Sequence, residues 1–228
     1  MGESSGSTPA NHEALAVVLQ VRDGRLQVLL WQRAREPFNG AWALPGGLLG
    51  VDETLEASIR RHLAAKVDVR ELAHLEQLET RSDPARHPHR MIATAYLGLV
   101  PSHHDPAVPT DTAWHPASAL PELAFDHHAI VLAGRERLRA KLSYTNVGFA
   151  LAPPRFTISE LRTVYRAALG HDVSATNLQR VLLRRGVLEP TGESRASGRV
   201  GGRPAALFRF RRQRLEITDQ FAVLRPPR

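Results

Sequence analysis

Two nearly continuous apolar runs open the chain, at residues 15–21 (LAVVLQV) and 26–31 (LQVLLW). Both are too short for stable helices, and Asp23-Gly24 between them is a tight-turn signal, so they predict an antiparallel hairpin. The period then changes. Leu55, Ile59 and Leu63 recur at helical spacing behind Asp52 and Glu53, either of which can cap, and this predicts a helix over residues 54–66. Residues 72–79 (LAHLEQLE) and 91–100 (MIATAYLGLV) read as further strands around a polar loop, and residues 124–142 as a second long helix. Strands flanking two helices predict an α/β or α+β sandwich.

A second unit begins after Pro153-Pro154, a pair that few helices or central strands can cross. Thr157 and Glu160 form the signature of a capping box, ahead of a helix with Ile158, Leu161, Tyr165 and Leu169 on one face and a stop at Gly170. Ser174 caps the next helix, residues 175–185, which ends at Gly186. A strand, a Gly/Arg-rich tip and another strand follow. Helix, turn, helix and basic hairpin is the outline of a winged helix-turn-helix. The expected boundaries are a disordered tail over residues 1–12, a first domain over 13–148, a linker over 149–155 and a winged helix-turn-helix domain over 156–228.

Charge sharpens this division. Residues 150–228 hold 15 arginines against 6 acids, or +9, whereas residues 1–149 hold 15 basic residues against 17 acids, or −2. A basic final third on a near-neutral body points to a polyanionic partner. The chain has no cysteine, which removes disulfides, thiolate metal sites and a cysteine nucleophile and fits a cytoplasmic protein. No apolar run approaches the ~20 residues of a membrane span, and the first ten residues lack the charged and apolar regions of a signal peptide.

The helix at residues 54–66 poses a chemical question. Metal-assisted hydrolysis of a phosphoanhydride needs Mg²⁺ or Mn²⁺, and such hard cations need clustered carboxylates. One helix face can present them at i, i+3 and i+4, but here those places hold His62, Ala65 and Lys66. The segment resembles a degenerate Nudix box, whose pattern runs G-x5-E-x7-R-E-U-x-E-E-x-G-U with U a bulky aliphatic. Gly47, Glu53, Arg61, Leu63 and Val69 match it, while His62, Ala65, Lys66 and Asp68 replace three glutamates and a glycine. Together with WALPGG, LEQLE, LAFDHH, RLRAKLSYTNVGFAL, PRFTISELRTVYRAALG, NLQRVLLRRGVLEPTGE and GGRPAALFRF, the segment makes the chain, from about residue 15 to residue 210, resemble the NrtR family of Nudix-related transcriptional regulators. The resemblance implies a Nudix-like α/β/α sandwich followed by a C-terminal winged helix-turn-helix, a homodimer, and ADP-ribose or a related NAD metabolite as effector. It departs from the family after LEQL, where Glu79, Thr80 and Arg81 replace an aromatic-rich stretch.

On this reading the effector site draws on Arg33, Arg35, Arg81 and Arg86, whose guanidinium groups match phosphate oxygens. Trp42 is either a base-stacking residue or a core residue. Glu53 and Arg61 either touch the effector or brace the loop–helix junction, and Lys66 occupies the old metal position. The histidine pairs His87/His89, His103/His104 and His127/His128 read as structural or surface groups. In the second unit Thr176, Asn177, Gln179 and Arg180 are residue types that read base edges, and Arg184, Arg185, Arg199 and Arg203 suit the DNA backbone or minor groove. The expected function is a DNA-binding repressor of NAD metabolism or related genes, released from an approximately palindromic operator by a nucleotide effector. It requires no cofactor, no metal and no membrane. The rival readings are a Nudix hydrolase of a nucleoside diphosphate derivative carrying an interaction domain, and a winged helix that touches protein.

Overall fold

The computed structural model describes residues 10–196 and 204–219. Its organising element is β1 (Asn11–Arg22), a strand buried on both faces. β1 lies antiparallel to β2 (Arg25–Gln32) across Asp23-Gly24 and parallel to β6 (Met91–Leu99), which pairs with β5 (His74–Arg81). The strand begins earlier than the sequence indicated: Asn11 and His12, assigned to a disordered tail, pair with Met91 and Ile92. Three further strands escaped sequence reading. β3 (Trp42–Ala43) and β7 (Thr112–Pro116) pair with β2, and β4 (Gly46–Leu48) pairs with the first half of β1.

Alternation along β1 sets the layers. Ala14, Ala16 and Val18 face α1 (Leu55–Val67) through Ile59, Leu63 and Val67. Leu15, Val17 and Leu19 face the opposite layer, where α2 (His127–Tyr144) brings Ile130, Val131 and Leu138. The contact with α2 is close: a Cβ on Gly134 would lie 2.8 Å from Val17 Cγ1, so this helix position admits only glycine without a shift. The result is the sandwich expected from the sequence, with helices on both faces of a mixed sheet.

Local chemistry explains the ends of α1. Its cap is Thr54, not Asp52 or Glu53, with the hydroxyl accepting from the Ala57 N–H at 3.2 Å. Asp68 ends it in the left-handed region (φ 51°), where a glycine is usual and Asp is among the few tolerated substitutes. Asp68 stands at the box position normally held by glycine.

In the second unit α3 (Ile158–Leu169) carries the expected capping box on Thr157 and Glu160 and ends at Gly170 (φ 77°). α4 (Ala175–Arg184) starts from Ser174 and buries Leu178 and Leu182. β8 (Leu188–Arg195) and β9 (Ala205–Phe210) form the wing, and Phe156 bridges to Phe208 at its base. The first four of residues 149–155, expected as a linker, are packed: Phe149, Ala150, Leu151 and Ala152 are buried, while Pro154 and Arg155 are exposed, and one apolar cluster runs from the sheet through the buried four to Phe210. The chain then returns to the end of α2. Asn146 holds Arg214 O through Nδ2 at 2.9 Å and accepts from the Glu216 N–H at 2.7 Å, and the Thr218 N–H reaches Tyr144 O at 2.9 Å. Among the described residues no helix is long and apolar enough to cross a membrane.

Candidate functional site

A cleft of about 570 Å³ opens where β1, β2, β4 and α1 meet. Its floor depends on the glycine pair. A Cβ on Gly46 would stand 2.2 Å from Ala14 O, so glycine there lets this strand lie against β1, and one on Gly47 would stand 2.5 Å from His62 Cε1 and displace that ring. Arg33 and Arg35 come from the end of β2 and the loop after it, Lys66 from the last turn of α1, and Glu13 from β1. Lys66 Nζ donates to Gly46 O at 2.6 Å and lies 4.4 Å from the centre of the Trp31 ring, a residue not singled out from the sequence. Burial, and then Arg33, push the Lys66 pKa below its ordinary value. His62 Nε2–H donates to Leu48 O at 3.0 Å, and burial lowers its pKa as well.

The structure brings Arg33, Arg35 and Lys66 together and places the other expected effector residues elsewhere. Glu53 and Arg61 form a bidentate pair at 2.9 and 2.5 Å, and Glu53 also accepts from the Gly50 N–H at 2.6 Å. The Arg61 bonds, with the Gly50 N–H behind them, hold the Glu53 carboxyl at a pKa of about 2. These two residues brace the loop–helix junction. Trp42 packs edge-on against His115 at 4.4 Å and joins the core, which corrects its base-stacking reading. Arg81 pairs with Glu79 at 2.8 Å on β5, an edge strand.

Arg86 is the clearest correction. Its side chain is only 2% exposed, and its nitrogens are taken up by Glu13 at 2.9 Å and Asp126 at 2.8 and 3.2 Å. Burial alone would lower its pKa, yet the two carboxylates hold it above the ordinary value. A guanidinium so engaged does not grip a ligand; it fixes the cleft's acidic wall to the start of α2. It also uses the charge of Glu13, the one carboxylate among the cleft-lining residues.

His127, read from the sequence as structural, also lines the cleft. Its Nδ1 accepts from the Leu44 N–H at 3.0 Å, which places the neutral-ring proton on Nε2. That Nε2 is buried and has no hydrogen-bond partner. Burial drives the His127 pKa down to about 3.

The donor set does not suit a hard dication. Such an ion takes several oxygen ligands, whereas this cleft offers cations, two histidines and one paired carboxylate. Among the described residues no group of three or more His, Asp or Glu is placed to hold a metal. The same arrangement is well matched to a di-anion such as a diphosphate.

The candidate nucleic-acid face lies on α4. Thr176, Asn177, Arg180 and Arg184 are exposed and Gln179 is half-buried, with Arg180 Nη2 donating to Asn177 Oδ1 at 2.8 Å. Arg185 turns inward: its guanidinium donates to Ser143 O at 2.7 Å and Asp219 Oδ2 at 2.6 Å, so it fastens the end of α4 to the end of α2. Arg195 pairs with Glu160. Arg199 and Arg203 lie outside the described residues.

The comparisons divide the chain in the same way. The model of the NUDIX domain matches residues 10–133, and that of the NrtR DNA-binding winged helix domain matches residues 148–210. The ADPR responsive transcriptional repressor NtrR of Acinetobacter baylyi is 33% identical over 206 residues, covering 85% of this chain and 79% of the relative. Shewanella oneidensis NrtR, solved as a complex with a 27mer DNA, aligns with a TM-score of 0.75 and 33% identity over 87% of this chain and 93% of that one. The NUDIX domain of the same protein, solved with ADP ribose, aligns with a TM-score of 0.52 and 32% identity over 60% of this chain and 94% of that one.

Two outcomes follow. Replacing Arg86 by methionine strands two carboxylates, and urea denaturation will show a loss of about 3–5 kcal/mol. For His127 the native state resists the proton until about pH 3 while the unfolded chain takes it near 6.5, so stability is full above 6.5 and falls as pH drops below it. A His127→Asn variant, which keeps an acceptor for Leu44, will lose less stability between pH 7 and pH 5 than the native protein.

Proposed function

The chain belongs to the NrtR family of Nudix-linked DNA-binding regulators, and on that premise we propose that it is a transcriptional repressor of NAD metabolism or related genes, released from DNA by ADP-ribose. The observation that carries this reading is the charge of the cleft. Arg33, Arg35 and Lys66 face a hollow whose one carboxylate, Glu13, is paired with Arg86. A diphosphate is attracted there and a catalytic dication is not, so the frame of a hydrolase serves as a receptor.

Binding reaches DNA through α2 in this account. The helix starts at His127 in the cleft and ends at Tyr144, where Ser143 O and Tyr144 O hold Arg185, Thr218 and Asp219. A shift of α2 moves the end of α4, and in a dimer it alters the distance between two recognition helices that must meet half-sites about one helical turn apart. Near-complete release requires the effector to favour the released state by about 5.5 kcal/mol. Asn177, Gln179 and Arg180 are the side chains assigned to base edges, with Thr176 and Arg184 beside them.

The test is fluorescence anisotropy on labelled DNA from around the protein's own gene, titrated with ADP-ribose and then with NAD. Specific binding released by ADP-ribose is expected, and Lys66→Glu will raise the ADP-ribose concentration needed by about tenfold or more, a charge-assisted hydrogen bond being worth ~1.5–3 kcal/mol. Release that is unchanged in Lys66→Glu removes the cleft from the account. Turnover of ADP-ribose with Mg²⁺ identifies a hydrolase instead.

A further inference from the structure

A second cationic hollow, of about 410 Å³, lies where the two units meet. Arg25 lines it from the start of β2, Arg135 and Arg139 from α2, and Arg166 and His171 from the end of α3 and the turn after it. It is remote from the cleft. Arg33 of the cleft follows the far end of β2, and the intervening strand, at ~3.3 Å per residue, places the backbones of Arg25 and Arg33 about 26 Å apart.

The charges in this hollow do not balance. Asp172, the one carboxylate among its lining residues, is held through both oxygens by Arg162 at 2.8 Å, and Arg139 Nη1 donates to Glu136 Oε1 at 2.6 Å. Arg25, Arg135 and Arg166 form no ion pair among the described residues. Arg135 and Arg139 are four residues apart on α2, where like charges repel, and burial and then Arg139 lower the Arg135 pKa. The end of α3 offsets part of this. Gly170 closes that helix, and a Cβ on it would stand 2.6 Å from Arg139 Nη2. A helix C-terminus, however, carries only about −0.5 of a charge, against three guanidinium groups without an ion pair. Arg139 Nε is also buried with no hydrogen-bond partner. A spare donor and a surplus of positive charge call for a ligand that only accepts hydrogen bonds and carries at least two negative charges.

No Phe, Tyr or Trp lines the hollow, so it offers no such ring on which a nucleotide base could stack. We propose that it binds a compact phosphate-bearing polyanion, of the inorganic pyrophosphate type, on the guanidinium groups of Arg25, Arg135, Arg139 and Arg166. Guanidinium forks match phosphate oxygens two at a time. The anion joins β2 and α2 of the first unit to α3 of the second, and so stabilises this arrangement of the two. The site is separate from the effector cleft and does not depend on how that cleft is read.

Isothermal titration with inorganic pyrophosphate tests it, on the full chain carrying Lys66→Glu so that the cleft does not take up the probe. Thermal unfolding is followed in parallel, with sodium chloride at matched ionic strength as the control. Pyrophosphate will bind this parent and raise its Tm above the control. Arg25→Gln and Arg166→Gln, both at exposed positions, will melt no lower than the parent without the anion, because each relieves repulsion. Each will weaken pyrophosphate by about tenfold, the effect of losing a charge-assisted contact. A parent that binds no pyrophosphate, or variants that bind it as tightly as the parent, overturn the site. Undiminished pyrophosphate binding in Arg166→Gln together with weaker DNA binding of shallower salt dependence also overturns it, and assigns these arginines to the DNA backbone.

Discussion

The buried guanidinium of Arg86 holds Glu13 of β1 on one side and Asp126, the residue before α2, on the other. Burying a cation is unfavourable unless its charge and its hydrogens are satisfied, and here two carboxylates do both. The same contact decides the electrostatics of the cleft. With Glu13 held by Arg86, the three cations Arg33, Arg35 and Lys66 outnumber the cleft's one carboxylate. It also sets the position of α2, so His127, the residue after Asp126, stands in the cleft wall.

From that anchor α2 runs to Tyr144, beside the end of α4. Its 18 residues span ~27 Å at 1.5 Å each, and Gly134 seats it against Val17 with no space for a side chain. At its far end it meets the winged helix through backbone carbonyls that Arg185 and residues 218–219 hold. The apolar cluster is continuous from the sheet to the wing, so displacement of one unit is transmitted by packing and does not depend on a flexible tether. In the proposed coupling one element is touched at one end by the effector and at the other by the recognition helix.

Much of this was legible in the sequence. Apolar periodicity located the main strands and helices, and the capping box on Thr157 marked the start of α3 to the residue. The degraded box was legible too, because His62, Ala65 and Lys66 differ in kind from carboxylates. What was hidden is tertiary. β3, β4 and β7 are too short or too mixed in polarity to show a period. Residues 149–155 look like a linker because of their prolines, yet Phe149 and Leu151 are drawn into the core. Arg86 and Arg185 read as ligand contacts because arginines carry no sign in the sequence of whether a carboxylate or a carbonyl waits for them. Trp42 packs against the core and Trp31 lines the cleft for a similar reason: which strand end faces the cleft is set by register. His127 belongs to a pair that looks like a surface feature, and only the packed structure shows a buried ring with one nitrogen unsatisfied.

The central claim is that effector and DNA act on the same element. Hydrogen exchange of the full-length protein, with and without saturating ADP-ribose, measures it most directly. The account predicts changed protection at both ends of α2, near His127 and near Tyr144, together with the segment at residues 214–219 and the end of α4. Release of DNA by ADP-ribose with changes confined to the cleft and none at Tyr144 or Arg185 would contradict it.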